Sequence, residues 1–238
     1  MGIIDMHTHI LYGVDDGAQT LHDSMAMIEE ESIQGINQIV LTPHYGHKFG
    51  YPKRSLLEER FAEIQKEAKR YFPDVTLYLG SELYYEKDIT KHLLDGRALT
   101  YNGSKYVLVE FDPGDSFSYL MQAIQEFTYA GYLPVIAHIE RYGQVVNKLE
   151  QCERLVRAGA CLQINTGSLL GGFFDVRARL CKQLVKEGLV HIIGSDCHDM
   201  KRRRPNVAHG YEKLLKKCDP SIYDENAEMI LRGNYIST

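Results

Sequence analysis

Cysteine is sparse in this chain, and its five copies (Cys152, Cys161, Cys181, Cys197 and Cys218) form no CxxC pair. An odd, scattered set excludes a disulfide framework and predicts reduced thiols in the cytoplasm. No stretch approaches the ~20 consecutive apolar residues that a membrane span needs. The first residues lack the basic and apolar regions of a signal peptide, because Asp5 and His7 interrupt them. Excess positive charge is also missing: 27 Lys and Arg stand against 32 Asp and Glu, a formal net charge of −5. That balance excludes a general affinity for nucleic acid or anionic membrane. Neither a low-complexity tract nor a Pro/Gly/Ser linker divides the 238 residues. One domain over 1–238, the size of a (β/α) barrel, is the expectation.

What is present is an alternation. Short apolar runs at 3–9, 38–44, 76–82, 105–111, 134–140, 161–167 and 189–198 predict strands. Between them, helix-like stretches lie near 20–34, 55–71, 87–95, 116–130, 147–158 and 175–187, and two more follow at 206–217 and 220–232. Gly35, Gly131, Gly159 and Gly188 each close a helical stretch just before a strand. Near-continuous apolar strands alternating with helices predict parallel pairing with both faces covered. Seven such units favour a closed or nearly closed barrel over an open sheet.

The ends of these strands carry polar chemistry. The opening run finishes in "DMHTH", so His7 and His9 project side by side from one face. The later runs end in His44, Glu82, Glu110, His138, Asn165, and Asp196 with His198. Six of the seven therefore finish in His, Asp or Glu, at the end where a parallel barrel places its active site. Taken alone, any one of these histidines reads as a satisfied structural residue; the ordered set does not. Gathering so many ionisable groups is costly unless cations pair them. Nitrogen and oxygen donors without thiolate fit Mn²⁺, Zn²⁺ or Fe²⁺, with Mg²⁺ a further candidate. With Asp15 or Asp16 from the following loop, the set suits two or three ions. His22, His47, His92, His191 and His209 read as structural or surface residues.

"DMHTHILYGVDDG", "LTPHY", "GSELYY", "VLVEF", "PVIAHIERY", "QINTGSL" and "GSDCH" follow one another along the whole chain. In that order they resemble the PHP (polymerase and histidinol phosphatase) superfamily. Within it they are similar to the bacterial manganese-dependent tyrosine-protein phosphatases of capsule and exopolysaccharide operons. The resemblance implies a distorted (β/α)₇ barrel with a trinuclear site. It implies that His7, His9, Glu82 and Asp196 hold one metal, and that Glu82 bridges to a second held by Glu110 and His138. His44, His198 and a carboxylate of "DDG", Asp16 rather than Asp15, complete the third. Many PHP relatives carry histidine where this chain has Glu110, and the added negative charge suits Mn²⁺. The implied partner is a phosphotyrosine protein, the tyrosine-rich tail of a membrane-bound bacterial kinase.

A phosphate monoester is the natural substrate for so cationic a site, with hydroxide generated on clustered metals attacking phosphorus directly. Arg141, three residues past His138, and one arginine of "KRRRP", Arg203 before Arg204, are the expected grips on phosphate. Tyr84, Tyr85 and Tyr142 stand beside proposed donors as candidates to stack on a substrate ring, and "LLGGFFD" at 169–175 could form a lip. Three rival readings exist. Cys197 and Arg203 have the Cys-x₅-Arg spacing of cysteine-dependent tyrosine phosphatases, although no glycine lies between them. A phosphatase for a small molecule such as histidinol phosphate is the second. A non-catalytic metal-binding module is the third.

Overall fold

Each apolar run forms a strand, but two of the runs break part-way. The computed structural model describes residues 2–172 and 174–236, with Val146 described in its backbone only. The strands are β1 (Ile3–Thr8), β2 (Ile36–Leu41), β3 (His44–Tyr45), β4 (Thr76–Leu79), β5 (Glu82–Tyr84), β6 (Tyr106–Glu110), β7 (Leu133–Ile136), β8 (Cys161–Asn165) and β9 (Ile192–Gly194). All pair in parallel, as β1-β2-β4 and β3-β5-β6-β7-β8-β9.

Run 38–44 splits into β2 and β3 beside Pro43, which has no N–H for a ladder. Run 76–82 splits into β4 and β5 at the same level. Bonds from Gly80 N to Leu41 O (2.9 Å) and from Glu82 N to Pro43 O (3.0 Å) carry the pairing across both breaks. Seven strand paths therefore remain. They meet where β1 passes the exit of β9: Thr8 bridges Cys197 in parallel. Asp196 N donates to His7 O at 2.7 Å, and His9 N to Cys197 O at 2.9 Å. The result is the distorted (β/α)₇ barrel.

The helices are α1 (Leu21–Ile33), α2 (Arg54–Tyr71), α3 (Ile89–Leu94), α4 (Phe117–Tyr129), α5 (Gly143–Val146), α6 (Leu149–Arg157), α7 (Thr166–Leu169), α8 (Val176–Lys186), α9 (Val207–Leu214) and α10 (Ser221–Leu231). Eight coincide with the stretches read from periodicity. α5 and α7, of four residues each, are too short to show a helical period. Thr20 and Asp23 exchange side-chain and backbone hydrogen bonds in a capping box that starts α1, a contribution of ~1 kcal/mol. The closing glycines Gly35, Gly131, Gly159 and Gly188 all have positive φ.

Alternation along the strands divides the core. Ile39, Leu41, Val107, Val109, Leu162 and Ile164 face outward to Met27, Ile64, Phe127 and Leu155 on the helices. Their neighbours Ile4, Met6, Val40, Leu108, Val135 and Cys161 fill the barrel interior with Ala227 and Ile230 of α10. Asp224 of α10 accepts from Ile4 N at 3.0 Å, which fixes this helix over the end where β1 begins. The opposite, C-terminal end is left for chemistry.

One buried carboxyl bridges the seam between β1 and β9, and a second lies against it. Asp5 Oδ1 accepts from His7 N (3.1 Å) and Ser195 N (2.9 Å), and Glu31 of α1 lies against it, also buried. Burial raises the Asp5 pKa; burial and then the charge of Asp5 push Glu31 well above its ordinary 4.5. A carboxyl with a raised folded pKa contributes stability below its unfolded pKa, and loses it as pH rises through the folded value. Glu31→Gln is therefore expected to raise Tm at pH 8, by ~2–4 °C for each kcal/mol relieved, with little change at pH 4. Thermal unfolding at the two pH values measures this; an equal shift at both contradicts it.

Candidate metal centre

At the C-terminal rim the backbone itself turns donors inward. His138 (φ 32°) and Asp196 (φ 56°) are two of only four described non-glycine residues with positive φ, a conformation that costs free energy and concentrates at functional sites. Glu82, at the start of β5, is the hub. Its Oε2 lies 3.2 Å from His7 Nε2, 3.3 Å from His9 Nε2 and 3.0 Å from His44 Nδ1, and its Oε1 lies 3.0 Å from His138 Nε2. Asp196 Oδ1 is 3.6 and 3.4 Å from the same His7 and His9 nitrogens. Glu110 reaches His44 and His138, each at 3.6 Å. Asp16 Oδ1 lies 3.5 Å from His44 Nε2 and 3.4 Å from His198 Nε2.

All nine residues expected to hold metal thus meet at one mouth. Among these nine, three groups have donor atoms within 4.8 Å of one another: His7, His9 and Glu82; His44, Glu82 and Glu110; and His9, Asp16, His44 and His198; a fourth such group, Asp5, Glu31 and Cys197, contains none of the nine. These groups overlap, with His9, His44 and Glu82 each in two of them, so the three sets of donors adjoin one another. His138 and Asp196 flank the groups. Asp15 does something else: its Oδ2 accepts from His9 Nδ1 (2.7 Å) and His44 N (2.9 Å).

The donor chemistry fits divalent cations. A metal-binding imidazole needs its other nitrogen held by an acceptor. Gln163 Oε1 lies 3.3 Å from His7 Nδ1, Asp15 holds His9, and the Asp196 carbonyl accepts from His198 Nδ1 at 3.0 Å. Each leaves Nε2 facing the centre. Buried Glu82 Oε2, Glu110 Oε2, His44 Nδ1 and His198 Nε2 have no hydrogen bond among the described residues. Burial, then the charge of Glu82, pushes the Glu110 carboxyl up to about 8, so these carboxylates share the space only with added positive charge. Burial and Arg141 push His138 down to about 4, keeping it a neutral donor. For His9, burial opposes charge, but Asp15 outweighs it and raises the pKa. His9 would offer the nitrogen facing the centre to a divalent ion in place of that proton.

Beside the donors stand two guanidiniums. Arg141 Nη2 is 2.5 Å from Asp196 Oδ2, and Arg203 Nη2 is 2.6 Å from Asp196 Oδ1. Both groups remain partly exposed, which leaves their other N–H donors free to meet an incoming anion.

Comparison with known proteins matches this arrangement to a family. The family model for capsular polysaccharide synthesis, CpsB/CapC, matches residues 3–234. The chain belongs to the CpsB/CapC family. It is 32% identical over 243 residues to the tyrosine-protein phosphatase CpsB of Streptococcus agalactiae serotype III (strain NEM316), covering 98% of this chain and 100% of that protein. It is 33% identical over 239 residues to the tyrosine-protein phosphatase YwqE of Bacillus subtilis (strain 168), covering 98% and 93%. A crystal structure from work on YwqE of Bacillus subtilis and CpsB of Streptococcus pneumoniae, described as metal-dependent tyrosine phosphatases, superposes with a TM-score of 0.91 at 31% identity. It covers 99% of this chain and 96% of that one. An amidohydrolase from Mycoplasma synoviae shares only the fold, with a TM-score of 0.57 at 12% identity over 98% of this chain and 86% of that one.

Within this family member some expected residues lie elsewhere. Arg204 turns away to Glu30, 3.2 Å from its carboxylate. Tyr142 is fully buried under His138, with its hydroxyl accepting from Phe111 N, so it supports a donor and cannot line the substrate. Tyr85 is buried too. Phe173 of the expected lip lies outside the described residues, while Phe174 is exposed. Cys197 is buried, and burial raises its thiol well above the ordinary range, the reverse of a nucleophilic cysteine. Cys197→Ser is expected to keep kcat/KM within about threefold; a 10²-fold loss in a folded variant revives cysteine chemistry.

Sequence reasoning missed Gln163, buried inside the barrel, which also accepts from His138 N at 2.7 Å. A glutamine in an apolar strand, "CLQIN", was its available signal. Gln163→Leu is expected to weaken metal affinity about 10–100-fold. Titration of the metal-depleted variant measures it, and an unchanged affinity contradicts the assignment. Phe49, stacked on His44 with ring centroids 3.6 Å apart, was also missed, since nothing in its sequence context marks it. Gly194 of "GSDCH" is explained by contact: a Cβ there would lie 2.5 Å from His7 Cβ.

Proposed function

We propose that residues 1–238 form one catalytic domain, a Mn²⁺-dependent protein-tyrosine phosphatase. Convergence of eight buried donors and the exposed Asp16 with two arginines carries this reading. His7, His9, Glu82 and Asp196 would hold one ion, Glu82, Glu110 and His138 a second, and Asp16, His44 and His198 a third. Oxygen and nitrogen donors without thiolate favour Mn²⁺ over the soft-ligand metals, with Zn²⁺, Fe²⁺ or Mg²⁺ as other occupants. Divalent ions held there supply Lewis acidity: they lower the pKa of water and neutralise phosphate oxygens in an in-line displacement.

The chain's own residues do the rest. Arg141 and Arg203 bind the non-bridging oxygens of a phosphate dianion and fix its orientation. Asp196 holds both guanidiniums in place. Gln163 and Asp15 keep His7 and His9 in the tautomer that presents Nε2. A phenolate leaving group, with a pKa near ~10, departs without a strong general acid. That property suits a site with no uncommitted histidine in it.

The substrate is a phosphotyrosine protein. The tyrosine-rich tail of a bacterial kinase that governs polysaccharide export is the partner the family suggests. Five unpaired thiols and the lack of any described helix able to cross a membrane accord with a cytoplasmic location. Parallel assays on a phosphotyrosine peptide, a phosphoserine peptide and histidinol phosphate test the reading. Phosphotyrosine is expected to lead by at least about tenfold in kcat/KM. A preference for histidinol phosphate overturns the protein substrate, and no turnover of any of the three favours the non-catalytic module.

A further inference from the structure

The phosphate grip is one wall of a longer cleft. Arg141, Asp196 and Arg203 line a cavity of about 360 Å³ whose other residues include Asp175, Arg177 and Arg202. Four guanidiniums therefore face two carboxylates. Both carboxylates are already engaged: Asp196 by Arg141 and Arg203, and Asp175 by the N-terminus of α8, where it accepts from Ala178 N at 3.2 Å. Arg177 and Arg202 are exposed, and among the described residues neither makes an ion pair. Arg54, Arg97, Arg157 and Arg232 each rest on a carboxylate, while exposed Arg70, Arg154 and Arg179 also make no ion pair among the described residues, so it is the shared cavity that sets Arg177 and Arg202 apart. Arg177 also sits in the first turn of α8, whose dipole adds to the positive potential. Concave walls focus that potential on whatever enters beside the phosphate.

We propose that Arg177 and Arg202 form a second anion subsite. It takes a carboxylate or phosphate borne by the same polypeptide as the phosphotyrosine under hydrolysis. This rests on the phosphatase reading and adds the substrate class: phosphotyrosine next to a further negative charge. The subsite acts on binding, so its effect falls mainly on KM. It weakens as salt screens the exposed guanidiniums.

The test compares three peptides of one sequence at low salt, in wild type and in the Arg177→Ala/Arg202→Ala double variant. The first has neutral flanks, the second acidic flanks and the third a second phosphotyrosine. Wild type is expected to favour a charged peptide over the neutral one by about fivefold or more in kcat/KM. The double variant is expected to lose that preference while hydrolysing free phosphotyrosine at the wild-type rate, which also reports folding. A gain for acidic flanks alone identifies a carboxylate ligand; a gain for the doubly phosphorylated peptide alone identifies phosphate. Equal rates on all three peptides in wild type, or a preference that survives the substitutions, overturns the subsite. If the double variant misfolds, the single variants Arg177→Gln and Arg202→Gln are measured, and an undiminished preference in both overturns it. Failure of wild type on free phosphotyrosine instead removes the phosphatase reading.

Discussion

Glu82→Gln is expected to lower kcat/KM on phosphotyrosine by about 10³-fold, corresponding to ~4 kcal/mol of transition-state stabilisation. The substitution keeps the shape and removes the charge. It matters most here because Glu82 is fully buried and lies within 3.3 Å of nitrogens on His7, His9, His44 and His138. The glutamine amide either keeps an acceptor toward two histidines or turns an NH₂ toward them, and cannot bridge two cations. Replacing Glu110 is expected to cost less, since it is bordered by only two histidines, each 3.6 Å away. The measurement is kcat/KM together with metal content in a variant whose circular dichroism matches wild type. A loss below about tenfold, with metal retained, means that Glu82 is not the hub.

The second large effect belongs to Arg141. Arg141→Ala is expected to reduce kcat by about 10²–10³-fold, the usual size for removing a preorganised donor to developing charge. Arg141→Lys should recover little, because an ammonium cannot span two phosphate oxygens in one plane. Arg203→Ala is expected to cost less: its side chain is 38% exposed against 28% for Arg141, so water can take over part of its role. Both guanidiniums share Asp196, so the two losses should not add in the double variant. A rise in KM with kcat unchanged would mean that Arg141 binds ground state and transition state equally.

How far these features could be read from the residues depends on how local their cause is. Strand ends such as His7, Glu82 and Asp196 announce themselves because a buried apolar run that finishes in an ionisable group has few cheap explanations. The seven paths were visible because apolar runs and helical periods alternate. Their breaks at Pro43 and Gly80 were not, since both lie within runs that still read as apolar strands. Asp16 and Asp15 are neighbours of one type, and only the fold shows Asp15 bonded to His9 Nδ1 while Asp16 faces His44 and His198. Arg203 and Arg204 are a like case, separated by which way an exposed loop turns each side chain. Tyr142 misleads for a different reason. Adjacency in sequence to Arg141 says nothing of direction, and its ring points into the core. Gln163 was hidden because its partners, His7 and His138, lie 156 and 25 residues away.

The most direct test is metal stoichiometry on the purified chain, by inductively coupled plasma mass spectrometry, with phosphotyrosine turnover followed through chelation and Mn²⁺ return. Two or three divalent ions per chain are predicted, with activity vanishing as they leave and recovering as they are restored. Full turnover by protein stripped of every divalent ion would contradict the account.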